Sequence, residues 1–221
     1  MSSYSIAKAK DNLSKLIDEA LAGEEVTITR HGKPVVELRP APAAGLGRLS
    51  PELIDRIAAR EDAAVAWRGR GRNHSPNARR LSVTTYVDTS VLVAAVFEEP
   101  RSAGARDWLR RTSERIIVSD LAGLEVAAVV SRARRTRRFD DAAATRALAN
   151  FDEVRGAALP LRHGRGDFQL ADALVPDFSA KLAAADALHL ASAKNAGAAL
   201  ATFDARLADA AREHGVEVAL G

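Results

Sequence analysis

Residues 84–96 read TTYVDTSVLVAAV. The β-branched and aromatic run Val83–Val87 has the continuous apolar character of a strand buried on both faces, which is the signature of a parallel sheet. It ends on a carboxylate, Asp88, and passes directly into the apolar helical stretch SVLVAAV. In open parallel sheets, sites collect beyond the carboxyl ends of the strands. Asp88 is therefore a candidate site residue, and as a favoured helix N-cap it also has a purely local explanation.

Outward from this point the pattern repeats. RIIVS (115–119), AALATF (198–203) and VEVAL (216–220) are short apolar strands. They alternate with helical stretches in DLAGLEVAAVVSRAR, AATRALANFDEV and KLAAADALHLASAK. Strands alternating with helices predict an α/β fold with a mostly parallel central sheet over residues 83–221. Asp204 repeats the strand-end placement of Asp88. Glu125 and Asp186 are expected on inward helical faces, the first with Leu121, Ala128 and Val129, the second with Leu182 and Leu190. Acids on core-facing positions are rare unless paired or bound to a cation.

The chain has 221 residues and no cysteine, which excludes disulfides, thiolate metal sites and cysteine nucleophiles. Four converging carboxylates without sulfur favour the hard cations Mg2+ or Mn2+. Such an ion held by Asp88, Glu125, Asp186 and Asp204 suits phosphodiester hydrolysis. His189, three residues after Asp186, is expected as a helix-packing side chain. No apolar run approaches the ~20 residues of a membrane helix, and the N-terminus lacks the apolar core of a signal peptide, so a cytoplasmic protein is expected.

Residues 1–80 carry 14 Lys and Arg against 10 Asp and Glu, and residues 81–221 carry 18 against 19. The basic surplus thus lies in the N-terminal part and permits nucleic-acid contact. There SYSIAKAK reads as a strand, and Leu13, Leu16, Ile17, Ala20 and Leu21 give a helix stopped at Gly23. EEVTITRHGKPVVEL then reads as a hairpin turning at His31-Gly32. Lys8, Lys10, Arg30 and His31 are candidate DNA contacts, or exposed turn charge. PAPAAGLG is a linker, and a helix restarts at Pro51 with Ser50 as N-cap, its stripe Leu53, Ile54, Ile57, Ala58 and Val65 calling for a partner surface. RGRGRNHSPNARR (68–80) reads as irregular.

Residues 83 to about 218 resemble a PIN domain of the VapC toxin type, through YVDTSVLVA, the Glu in SDLAGLEVAAVVSR, AADALHLASA and LATFD. The resemblance implies a metal-dependent endoribonuclease whose acidic site is Asp88, Glu125, Asp186 and Asp204, with Ser90 and Thr202 orienting acids or metal-bound water. Residues 4 to about 40 resemble a Phd/YefM-type antitoxin, through AKDNLSKLIDEALAGEEVTITRHGKPVVELRP. That resemblance implies a small α+β dimeric operator-binding domain whose tail, here reaching to about residue 75, wraps the toxin.

Three segments are expected: an antitoxin-like domain (1–45), a toxin-binding helix with an Arg/Gly-rich linker (46–82), and the PIN-like domain (83–221). Joined in one chain, they suggest that Arg68, Arg70 and Arg72 enter the acidic pocket and neutralise it, in cis or between chains of a homodimer or higher oligomer. A solvated linker is the plainer reading of the same residues. Arg132, Arg134 and Arg135 are candidate RNA-phosphate contacts, or charge complementing a helix dipole. Two functions stand open: a restrained Mg2+-dependent ribonuclease, or a DNA-binding autorepressor whose nuclease domain is a permanently inhibited partner.

Overall fold

The computed structural model describes residues 2–22, 24–38, 47–62, 84–176 and 182–221. The chain forms two compact units, Met1–Ala44 and Gly45–Gly221. No helix among the described residues is long and apolar enough to cross a membrane.

In the first unit, β1 (Ser2–Ser5) pairs parallel with β2 (Val26–Arg30), which pairs antiparallel with β3 (Lys33–Leu38). The expected first strand stops early. The Ser5 side chain accepts the N–H of Lys8 at 3.3 Å, so Ser5 caps α1 (Ile6–Asp11). The expected single helix is also divided. Asn12 leaves helical geometry, donates its side-chain amide to the Lys8 carbonyl at 3.0 Å, and separates α1 from α2 (Leu13–Leu21). Only Leu16 and Ala20 of the predicted stripe are buried, packed with Ala9 and Val26, while Leu13, Ile17 and Leu21 are exposed. His31 and Gly32 both take positive φ, 51° and 77°, as a tight hairpin turn requires. Gly23, the expected helix stop, lies outside the described residues.

The second unit holds a five-stranded, all-parallel sheet in the order β6 (Leu159–Leu161), β5 (Arg115–Ser119), β4 (Thr84–Val87), β7 (Ala199–Ala201), β8 (Val218–Leu220). Its helices are α3 (Pro51–Asp62), α4 (Thr89–Val96), α5 (Ser102–Arg111), α6 (Asp120–Arg135), α7 (Asp141–Ala157), α8 (Arg165–Leu174), α9 (Ala184–Asn195) and α10 (Ala205–Glu213). Strand alternation divides the core into two faces. Val87, Ile116, Val118, Ala199 and Ala201 pack with α3 to α7, and Tyr86, Ile117 and Leu200 pack with α8 to α10. The helices α5 and α8 and the strand β6 had no counterpart in the sequence reading.

Of the segment expected as a toxin-binding helix with an Arg/Gly-rich linker (46–82), the described part from Gly47 to Asp62 packs within the second unit, as a helix with an apolar stripe requires. Gly47 donates its N–H to Ala157 and accepts from Ile116. Its φ of 95° and the 2.8 Å that would separate an added Cβ from Leu159 leave room only for glycine. Ser50 caps α3, its hydroxyl accepting the Leu53 N–H at 3.2 Å. Leu49, Leu53, Ile54 and Ile57 are buried in the same cluster as Val91, Leu92 and Phe151. At the polar edge of this seat Asp55 pairs with Arg110 at 2.6 Å, and Arg56 and Arg60 both pair with Glu153. Buried Glu61 accepts from Asn150 at 3.0 Å and Arg146 at 3.2 Å. Val65 lies outside the described residues.

Candidate functional site

The order β6-β5-β4-β7-β8 means that the chain builds outward from β4 in one direction and then returns to build from β7 in the other. The crevice at such a reversal, beyond the strands' carboxyl ends, is where open α/β sheets place ligands. Asp88 follows β4, and Thr202 and Asp204 follow β7. Both aspartates are N-caps as well: Asp88 accepts from the Ser90 N–H, and Asp204 from Arg206 and Leu207. The capping explanation and the site explanation hold together, because a cap fixes the carboxylate at the crevice mouth.

Asp88 is buried. Its Oδ2 accepts from the Ser90 hydroxyl at 2.6 Å and the Thr202 hydroxyl at 2.8 Å. The Ser90 oxygen in turn accepts the Phe203 N–H, and the Thr202 oxygen accepts the Asp204 N–H, at 2.9 and 3.0 Å. These hydroxyls tie the β4 and β7 loops to one carboxylate.

Glu125 enters from α6. The buried stripe of that helix is Ala122, Val126, Val130 and Ala133, so Glu125 stands at its border rather than on the apolar face expected for it, and Ala128 and Val129 are exposed. The Thr89 hydroxyl donates to Glu125 Oε2 at 2.5 Å. Burial raises the pKa of Glu125, but its polar contacts with His189 and Thr89 outweigh that and hold the carboxyl below its usual range.

Asp186 lies in the first turn of α9 rather than mid-helix. There the helix N-terminus favours negative charge, and the backbone of Ala183 hydrogen-bonds to the carboxylate. Burial and the neighbouring charges of Asp204 and Asp88 nevertheless raise its pKa. Asp204 and Asp88 therefore both act on Asp186 electrostatically.

His189, expected to be a packing residue, is buried but faces the acids. Its Nε2 lies 2.7 Å from Glu125 Oε2 and 3.4 Å from Asp88 Oδ1. Asp88, Glu125 and His189 each offer a donor atom within 4.8 Å of the others, a grouping able to hold a metal ion. The signal available in the sequence was the spacing of three from Asp186, which puts both residues on one face of α9. Tyr86, Thr89 and Ser119, the side chains that support this set, were not singled out from the sequence.

Arg132, Arg134 and Arg135 are exposed at the end of α6, where Arg134 pairs with Asp141 at 2.5 Å. Lys8, Lys10, Arg30 and His31 are exposed on the first unit. Arg68, Arg70 and Arg72 fall outside the described residues.

Comparison with known proteins matches residues 85–213 to the PIN domain model and residues 1–42 to the Phd_YefM model of type II toxin-antitoxin antitoxins. A curated relative, ribonuclease VapC46 of Mycobacterium tuberculosis, is 34% identical over 137 residues, covering 60% of this chain and 94% of that protein. Among solved structures, the sarcin-ricin loop-cleaving toxin VapC20 of Mycobacterium tuberculosis aligns with a TM-score of 0.48 at 19% identity, over 57% of this chain and 94% of that one. VapBC2 of Rickettsia felis, solved with a fragment of promoter DNA, aligns with a TM-score of 0.46 at 15% identity, over 61% and 96% of the two chains. The PIN match, residues 85–213, lies within the acid-bearing α/β unit and spans Asp88, Glu125, Asp186 and Asp204: this chain belongs to the PIN domain family and carries a Phd/YefM antitoxin segment fused ahead of it.

Proposed function

We propose that the chain is a divalent-metal-dependent endoribonuclease, hydrolysing RNA phosphodiester bonds, whose attached N-terminal part restrains it and binds operator DNA. What supports this reading is that Asp88, Glu125 and His189 offer donor atoms within 4.8 Å of one another, and that Asp204 and Asp88 act electrostatically on Asp186. Carboxylate oxygens without sulfur are the donor set that Mg2+ and Mn2+ prefer, so the residues fit the group that the family implies. Asp88, Glu125, Asp186 and Asp204 would hold it. The bound ion supplies positive charge to the phosphate and lowers the pKa of the attacking water.

The protein's own contribution is positioning. Ser90 and Thr202 engage Asp88 Oδ2 and leave Oδ1 toward the crevice. Thr89 holds Glu125 by donating to its Oε2. Asp204 is clamped by two amides of its own helix. Exposed Arg132, Arg134 and Arg135 suit contact with RNA phosphates away from the reacting bond.

For restraint, α3 is the anchor and the arginines after it are the effector. Its partners among the described residues lie on α5 and α7 and in the apolar core, not at the four acids. Residues 63–83 join α3 to β4 and, fully extended, span about 70 Å. That length lets Arg68, Arg70 and Arg72 reach the carboxylates, in cis or in a partner chain of a homodimer or higher oligomer. Lys8, Lys10, Arg30 and His31 on the first unit are the operator contacts in this reading.

The test keeps α3 in place. Replacing Arg68, Arg70 and Arg72 together by Ala in the full chain is expected to release RNA cleavage that needs Mg2+ or Mn2+, and adding Asp88→Asn is expected to remove it. RNA left intact by the triple variant in both metals, or cut equally in EDTA, would overturn the reading.

A further inference from the structure

His189 is 1% exposed, and its ring is held from both sides. On the Nδ1 side, Tyr86 Oη lies 2.7 Å away and donates its own proton to Ser119 Oγ at 2.7 Å. Ser119 Oγ also accepts the Ala122 N–H at 3.2 Å. A tyrosine hydroxyl that donates to serine must accept from its other neighbour, so the proton of the imidazole belongs on Nδ1. In the neutral ring Nε2 then carries the lone pair, facing Glu125 Oε2 and Asp88 Oδ1.

A lone pair aimed at two carboxylates is repulsive unless a proton or a metal cation lies among them. Ligands at about 2.1 Å in an octahedral shell sit about 3 Å apart when adjacent. The separations at Nε2, 2.7 and 3.4 Å, bracket that value. The outward chain from Nδ1 to Tyr86 to Ser119 is also the kind of support that orients metal-bound histidines through their second nitrogen.

We propose that His189 Nε2 is a direct ligand of the divalent ion, alongside Asp88 and Glu125, and that this nitrogen tilts the site toward a first-row metal such as Mn2+ over Mg2+. The proposal rests on the acidic-site reading and deepens it. Mg2+ takes oxygen ligands and keeps its waters, whereas an imidazole nitrogen is accepted more readily by the first-row divalent ions. Tyr86 acts through His189 and is a positioning residue.

The test uses the full chain loaded with Mn2+ and read by pulsed electron paramagnetic resonance. Nitrogen couplings of a coordinated imidazole are expected, converting from 14N to 15N when the chain's five histidines are isotopically labelled. In His189→Gln these couplings vanish, and Mn2+ affinity, measured calorimetrically, falls by at least about 10-fold, while Mg2+ affinity falls less. Mn2+ that binds the wild-type chain without imidazole coupling, or with coupling that survives in His189→Gln, would overturn the proposal and leave the acidic site standing. No Mn2+ binding by the wild-type chain would overturn both. The wild-type spectrum decides even if the variant fails to fold.

Discussion

Two buried carboxylates in the PIN unit, Glu61 and Asp88, have opposite surroundings. Glu61 is matched: Asn150 and Arg146 donate to it, and Arg60 closes the group by donating to Asn150 at 3.2 Å. Asp88 receives two neutral hydroxyls and faces the Nε2 edge of a histidine, and stands near Glu125 and Asp186. The first arrangement neutralises its charge within the protein. The second accumulates negative charge that the fold holds in place but does not cancel. A carboxylate satisfied by its own chain fastens structure, whereas a surplus of them marks a place for something external and positive.

This contrast can be broken most forcefully at the seat of the helix that carries Glu61. Ile54 is 1% exposed in the core, and Ile54→Ala should cost about 2–5 kcal/mol in denaturant unfolding of the PIN unit. A loss below 0.5 kcal/mol, on the scale of a surface change, would mean that α3 is not part of that unit. A smaller effect is expected from Glu61→Ala, about 1–3 kcal/mol, because Asn150 is fully buried and loses a partner. Mn2+ affinity of that variant should be unchanged, since none of the donors to Glu61 faces the acids.

The smallest effect has the opposite sign. The folded chain raises the pKa of Asp186, so folding favours its protonated form. Its contribution to stability is complete below the ordinary carboxyl range and is lost as pH rises through the folded value. At neutral pH without metal, Asp186→Asn should therefore melt slightly higher than the wild-type chain, with the gain fading as pH falls. The gain is modest because Asp186 is half-buried and solvent screens it. A lower melting temperature in EDTA would show that Asp186 is matched as Glu61 is.

The parallel sheet was readable because β4, β5 and β7 are apolar runs ending in acids or hydroxyls, a pattern set by burial on both faces. The third strand on that side, β6, hides in LPL: three residues are too few for periodicity, and Pro160 is tolerated because β6 is an edge. The division at Asn12 depends on a side-chain hydrogen bond that competes with helix geometry, which a hydrophobic stripe does not register. At the site, Asp88 and Asp204 follow β4 and β7, as the strand-end pattern in the sequence indicates. Face assignment failed for Glu125, because the buried stripe of α6 is set by its neighbours, and for Asp186, because the start of α9 was not located. The role of His189 arises from Tyr86 and Glu125, 103 and 64 positions away, and no local pattern reports such a meeting.

The central claim is that the acids form one cation site. Crystals of the full chain grown in Mn2+ and measured at the manganese edge test it directly. The account predicts an anomalous peak in the crevice within bonding distance of Asp88 and Glu125 and absent in Asp88→Asn. A peak elsewhere, or a crevice bridged only by protein side chains at saturating Mn2+, would contradict it.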